Sequence, residues 1–354
     1  MGTTVGMGLG DREHVACVLD DGGDVVGRVA VANSPDSVTK SLDEFPDAGS
    51  VTVAIETGTH SPWMSDLLES RGFRVLVGKS RSLRAIWDTE FKDDGRGAEL
   101  LARMARFDPK ILSPIRHRGR RAQADLAMIR ARDSLVRARS SLASSVRGML
   151  KSFGGRIADC SVEALRSKAE KHIPEDLRPA LAPLLSSIRS LTVQIRAFDK
   201  SIETMCGKKY PETERLAQVA GVGLLTALAF VLVLENPRRF RESRDVGPYL
   251  GLVPGRDRSG QADKPLPITK AGDTLLRRLM VGSANYILGP FGPDCDLRRY
   301  GERIAGSGGK VAKRKAKIAV ARKLGVLLHR LWVTGETYEP LRNSSSNRKS
   351  AKAA

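Results

Sequence analysis

The sequence predicts an α/β domain over residues 1–110, a long helical region over 111–206 and a mainly α C-terminal part over 207–340. Two observations carry this. Up to residue 110, short apolar runs broken by Asp, Gly and Pro alternate with helical patterns. Beyond it, apolar residues recur every three or four positions over two long stretches.

Residues 4–9 and 15–19 read as strands, and Asp20-Asp-Gly-Gly-Asp24 supplies a hairpin turn to a third strand over 25–32. Residues 36–43 read as a helix, and 51–55 as a buried strand ending at Glu56. A helix over 62–71, a strand over 73–77 and helices over 80–87 and 98–107 follow. Three hairpin strands followed by alternating helix and strand is the order of the ribonuclease-H-like fold. That fold class uses carboxylates at strand ends and on a late helix to hold divalent metal.

A basic linker comes next, with Pro114, Arg116, His117, Arg118, Arg120 and Arg121. Residues 122–152 form one helix with Leu126, Ile129, Val136, Leu142, Val146 and Leu150 as its apolar stripe. Residues 178–205 form another, through Leu181, Leu184, Ile188, Leu191, Ile195, Phe198 and Ile202. Two such helices pair most simply as an antiparallel hairpin or coiled coil, within the chain or between copies of it.

In the C-terminal part, Val219-Ala-Gly221-Val222-Gly223 between helical segments has the helix–hairpin–helix pattern, or is a plain tight turn. The run from Gly251 through Arg256, Arg258, Ser259 and Gly260 to Lys270 is punctuated by Gly and Pro, and so reads as a loop. A serine hydroxyl among Arg256, Arg258 and Lys270 suits a phosphodiester, whether as a nucleophile or as one more hydrogen-bond donor. Arg277 and Arg278 follow on a helix, and Lys310–Lys323 is strongly basic, with Lys313, Arg314 and Lys315 together. The tail over 341–354 carries no acid and is expected to be disordered.

With 59 Lys+Arg against 40 Asp+Glu, the chain has a formal net charge of +19 and favours a polyanionic partner. A membrane span is not expected, since no run of about 18 apolar residues occurs; nor is a signal peptide. Cys17, Cys160, Cys206 and Cys295 are scattered without a C-x-x-C pair, which argues against zinc and disulfides and fits a cytoplasmic protein.

Several motifs resemble one family. They are Ala54-Ile-Glu56-Thr-Gly58-Thr-His60-Ser-Pro62-Trp63, Leu112-Ser-Pro-Ile-Arg116-His-Arg118, the helix bearing Asp133, Tyr249-Leu-Gly-Leu-Val-Pro254, Ser259-Gly260, Ile268-Thr-Lys270-Ala-Gly272, and Gly289-Pro-Phe-Gly-Pro-Asp294. Their order and spacing are similar to those of the DEDD transposases of the insertion-sequence one-ten family, which also includes Piv-type DNA invertases. The resemblance implies an N-terminal ribonuclease-H-like (RuvC-like) domain holding Mg²⁺ with four acids, and a C-terminal transposase domain supplying a serine nucleophile. It also implies donor and target DNA, a structured bridge RNA, and a homo-oligomer (dimer or tetramer). On this resemblance Ser259, Glu56 and Asp94 are the catalytic positions, with Glu56 and Asp94 as metal ligands. Two acids are missing: Gly8 stands where the first belongs and Gly97 where the fourth does. The expected function is therefore a DNA transposase or recombinase with a depleted acidic site; the alternative is a non-cutting nucleic-acid-binding relative.

Overall fold

The computed structural model describes residues 2–87, 93–170, 172–260 and 262–343. The chain forms two compact units, Met1–Gly119 and Arg120–Ala354. The expected boundary at 110/111 moves because Ile115 pairs with Val77 and Leu112 is buried under the sheet, which ties the linker's start to the first unit.

The first unit is built on a sheet of five strands: β1 (Thr4–Leu9), β2 (Glu13–Leu19), β3 (Val25–Ala32), β4 (Thr52–Glu56) and β5 (Arg74–Gly78). Their order is β3-β2-β1-β4-β5. β1, β2 and β3 are antiparallel neighbours, while β4 and β5 run parallel to β1. The helices are α1 (Pro35–Leu42), α2 (Ser61–Ser70), α3 (Ser80–Trp87) and α4 (Asp94–Phe107). Strand period two sorts the side chains. Val5, Met7, Val53 and Ile55 pack with Val38, Met64 and Leu68 on one face. Ala54, Cys17 and Leu19 meet Ala98, Leu101 and Ala102 of α4 on the other. α4 begins at Asp94 rather than at residue 98, because the Asp93 carboxylate accepts the Arg96 amide and caps it.

The second unit holds α5 (Arg120–Ser152), α6 (Val162–Ala169), α7 (Arg178–Lys209), α8 (Glu212–Leu216), α9 (Leu224–Leu234) and α10 (Val246–Tyr249). The hairpin β6 (Pro254–Ser259) and β7 (Ala262–Ile268) follows, then α11 (Thr274–Ile287), α12 (Asp296–Ala305) and α13 (Lys310–Thr334). α5 and α7 run antiparallel. Asp125 pairs with Lys209 at 3.1 Å and Arg139 reaches Thr192 at 3.2 Å, while Arg132 pairs with Asp199 between them. Burial and the Asp125 carboxylate push the Tyr210 phenol, which donates to Asp125, up to about 12.

At the centre lies α9, apolar on every side and buried from Thr226 to Leu234. Leu276, Met280, Val320, Leu324 and Leu328 surround it, together with Leu126 and Ile129 of α5 and Ile202 of α7. The helical pair therefore shares its core with the C-terminal helices, and the boundary expected at 206/207 falls inside one core.

Two further expectations change. The Ser259 segment is a hairpin, not a loop. Its prolines are tolerated because each strand of a two-stranded ribbon has an outer edge where no N–H is needed. The start of the tail is ordered: Arg342 pairs with Glu336, and the Asn343 amide donates to Asp296. Residues 344–354 lie outside the described residues. Among the described residues no helix is long and apolar enough to cross a membrane.

Candidate functional site

Each unit carries one part of the predicted site. In the first, the parallel β1–β4 ladder ends with Met7 opposite Ile55, so Gly8 and Glu56 come next at the same level. Gly6 and Ala54 turn toward α4: a Cβ at Gly6 would stand 2.0 Å from the Ala98 carbonyl oxygen, and Ala54 is buried with Leu101. Period two then places Gly8 and Glu56 on the same face. A Cβ at Gly8 would lie 3.9 Å from the Asp94 carbonyl oxygen and 3.8 Å from that of Val15. Gly8, Glu56 and Asp94 thus gather at one end of the sheet, and Gly97 follows Asp94 by one turn of α4.

The four-carboxylate metal site implied by the resemblance does not fit these residues. Glu56 and Asp94 offer side-chain oxygens; Gly8 and Gly97 offer none. Among the described residues no group of three or more His, Cys, Asp or Glu is placed to hold a metal ion. The neighbouring acids are engaged elsewhere. Asp93 caps α4, and Asp11 lies past the strand with Oδ1 3.0 Å from His60 Nε2. Lys92, two residues before Asp94, lies outside the described residues.

His60 and Trp63 of the second acidic motif gain a role that the sequence did not show. Trp63 Nε1–H can only donate, and it lies 3.3 Å from His60 Nδ1. Asn33 Nδ2 stands 3.3 Å from His60 Nε2, so the imidazole links the Trp63 indole, Asn33 and Asp11. His14, fully buried beside both rings, has its imidazole held below the usual range by burial first and by His60 second.

In the second unit Ser259 sits exposed at the hairpin tip, paired with Ala262, and Gly260 takes the left-handed φ of +56° in the turn. Arg256 and Arg258 both reach Asp263 on the facing strand, at 3.3 and 3.1 Å. Lys270 does not join them. The ladder puts Pro254 opposite Ile268 at the base, roughly 17 Å from the tip at 3.4 Å per residue. Arg277 turns inward, with Nη1 2.8 Å from the Ala271 carbonyl and 3.3 Å from that of Leu250. Arg278 pairs with Asp133 at 2.6 Å, and Arg130 with Asp273 at 2.9 Å. These reciprocal pairs join α5 to α11 and account for the Asp133 motif. Asp273 also caps α11 by accepting the Leu276 amide. Arg116, Arg120 and Arg121 are exposed and Arg118 is half-buried. Lys313, Arg314 and Lys315 are exposed on the first turns of α13.

The hairpin's base is fixed by two glycines. Gly251 and Gly272 both have positive φ, and a Cβ on Gly272 would stand 2.1 Å from the Tyr249 carbonyl oxygen. The Tyr249–Pro254 and Lys270-Ala-Gly272 motifs are thus two sides of one backbone contact. Gly272→Ala is expected to destabilise the second unit by about 2–4 kcal/mol, from left-handed backbone strain plus forced separation. The urea midpoint of the variant checks this; an unchanged midpoint would mean the contact is dispensable.

Charge is divided between the units. Residues 120–354 carry 44 Lys+Arg against 22 Asp+Glu, whereas residues 1–119 carry 15 against 18. The whole positive surplus lies in the second unit.

An acid pair at the end of a mixed sheet, together with a strongly basic helical unit, is the outline of a DNA-processing protein. Comparison places it further. A family model described as transposase matches residues 5–154, and one described as transposase, IS116/IS110/IS902 family, matches residues 213–291. "Putative transposase y4pF/y4sB" of Sinorhizobium fredii is 29% identical over 299 residues, covering 81% of this chain and 74% of its own length. The transposase for insertion sequence element IS1328 of Yersinia enterocolitica is 26% identical over 290 residues, covering 80% and 83%. The transposase for insertion sequence element IS1111A of Coxiella burnetii is 27% identical over 169 residues, covering 46% of each chain. The chain belongs to the IS110 family of insertion-sequence transposases.

Proposed function

We propose that this protein is a DNA-binding member of its transposase family that keeps the nucleic-acid surface and lacks the metal-dependent cut. One observation carries the reading: level with Glu56 at the end of the β1–β4 ladder, and with the Asp94 carbonyl oxygen 3.9 Å from where its Cβ would stand, is Gly8. The strand order β3-β2-β1-β4-β5, with α4 against β1, supports a ribonuclease-H-like first unit. In such a unit that position would hold a carboxylate. Hard divalent cations need oxygen ligands, and a glycine supplies no side-chain oxygen. Binding rests on the basic second unit, whose surplus cations pair with phosphates regardless of sequence. The antiparallel α5–α7 pair supports a helical hairpin that could also carry contacts between copies.

A second reading is favoured by Ser259, exposed at a hairpin tip beside Arg256 and Arg258. There the protein is an active recombinase, and Ser259 attacks a phosphodiester whose oxygens the two guanidinium groups hold. A serine–phosphate bond forms as one P–O ester bond to deoxyribose breaks, and the departing oxygen takes up a proton and leaves as a DNA hydroxyl. An unassisted serine hydroxyl is a weak nucleophile, so this reading requires activation from elsewhere. The protein purified with co-expressed RNA and given element-end DNA in Mg²⁺ separates the two. Binding without strand cleavage is expected. Cleavage that disappears in Ser259→Ala establishes the second reading.

A further inference from the structure

The loop between α11 and α12, Gly289-Pro-Phe-Gly-Pro293, presents Phe291 at 84% exposure. Burying a phenylalanine is worth about 1.5–3 kcal/mol, so a chain that leaves one in water forgoes a substantial gain. The loop is also held. Arg298 Nη1 lies 3.1 Å from the Ile287 carbonyl, 2.8 Å from that of Gly289 and 2.7 Å from that of Gly292. Its Nε donates to Glu302 at 2.9 Å, which fixes the guanidinium at its other end. The Gly292 amide closes back onto Gly289, and Pro290 and Pro293 flank the ring and limit the backbone. Tyr286, 47% exposed, stands one turn before the loop on α11.

An aromatic ring offered on a clamped backbone loses little freedom when something stacks on it. Phe107 is as exposed, but it belongs to the unit without surplus positive charge. Phe291 belongs to the basic unit, where the complementary partner is a polyanion. Nucleobases are the apolar, flat surfaces that a polyanion of this kind carries.

We propose that Phe291 is a stacking platform for an unpaired nucleobase, positioned by Arg298. The proposal rests on the DNA-binding reading above and adds to it the place where a base, rather than a phosphate, is held. No member of the phosphate-contacting set acts here, so the two can fail separately.

The test uses the full chain with a single-stranded oligonucleotide carrying 2-aminopurine, whose fluorescence is quenched by stacking. The parent protein is expected to quench it. Phe291→Leu, which keeps an apolar side chain without a π face, is expected to lose the quenching and bind the strand about ten-fold more weakly. Phe291→Trp is expected to restore both. Duplex binding at low salt should be the same in all three. Quenching and affinity unchanged in Phe291→Leu would overturn the proposal. So would a change in sedimentation behaviour without a change in strand binding, which would make the ring a contact between protein chains. If the parent binds no oligonucleotide at low salt, the DNA-binding reading falls with it.

Discussion

The Gly8→Asp/Gly97→Asp double variant is expected to cleave DNA in Mg²⁺ more than about 100-fold faster than the parent, since even loss of an outer-shell partner costs 10- to 100-fold in metal affinity or activity. The geometry allows the change. The nearest atoms to a Cβ at Gly8 lie at 3.8 and 3.9 Å, an ordinary contact distance, and its φ is not in the left-handed region. A carboxylate there would stand level with Glu56 and face the start of α4. Gly97 lies in the first turns of α4, where a negative side chain is favoured by the helix dipole and where glycine is the weaker helix former by about 1 kcal/mol. The two substitutions should be cooperative, because both ligands would serve one ion. Stability supplies an independent readout. Four carboxylates without a cation repel, so the double variant should melt lower than the parent in EDTA and higher on adding Mg²⁺. The parent should respond to neither. A double variant no faster than either single one, with no Mg²⁺-dependent melting, would remove the acid-site account altogether.

Much of the fold could be read from the sequence, for reasons visible in particular elements. β1, β4 and β5 are short apolar runs bounded by turn residues, and α5 and α7 carry apolar stripes over some thirty residues. Local pattern and final structure agree wherever one face of an element is buried. The Ser259 segment misled because Pro254, Pro265 and Pro267 forbid a central strand while permitting an exposed ribbon, and sequence alone does not say whether a strand has a neighbour on both sides.

The destinations of arginines were the least legible part. Arg277 and Arg298 bond backbone carbonyls that come from turns several residues away, and Arg130 meets an aspartate on a distant helix. In the sequence each looks like any other cation. Phosphate contact is available only to those left over. At the acid site, by contrast, the motifs that carry the resemblance mark Gly8, Glu56 and Asp94, and the β1–β4 register brings Gly8 level with Glu56.

Those leftover cations lead to the second large effect. Affinity for duplex DNA is expected to fall about 10³- to 10⁵-fold between 50 and 200 mM salt, as for a protein neutralising 6–10 phosphates. Lys310, Lys313, Arg314 and Lys317 follow one another at helical spacing along the start of α13, so they share one face. Lys310, Lys313 and Arg314 are exposed, and among the described residues no carboxylate pairs with them. Replacing these three by glutamine keeps the helix-forming tendency and removes only charge. Each lost phosphate contact lowers the slope of log affinity against log salt by about 0.9, so the triple variant should lose about 3 from the slope. The weakening should be the same for any DNA sequence, since phosphates carry no base identity. Its melting temperature should match the parent's, because exposed unpaired cations contribute little to folding. Arg277→Gln supplies the contrast: its guanidinium binds the Leu250 and Ala271 carbonyls, so it should lower stability and leave the salt slope unchanged. A salt slope untouched by the triple change would move the DNA off α13, and binding indifferent to salt in the parent would remove the electrostatic basis of the proposed function.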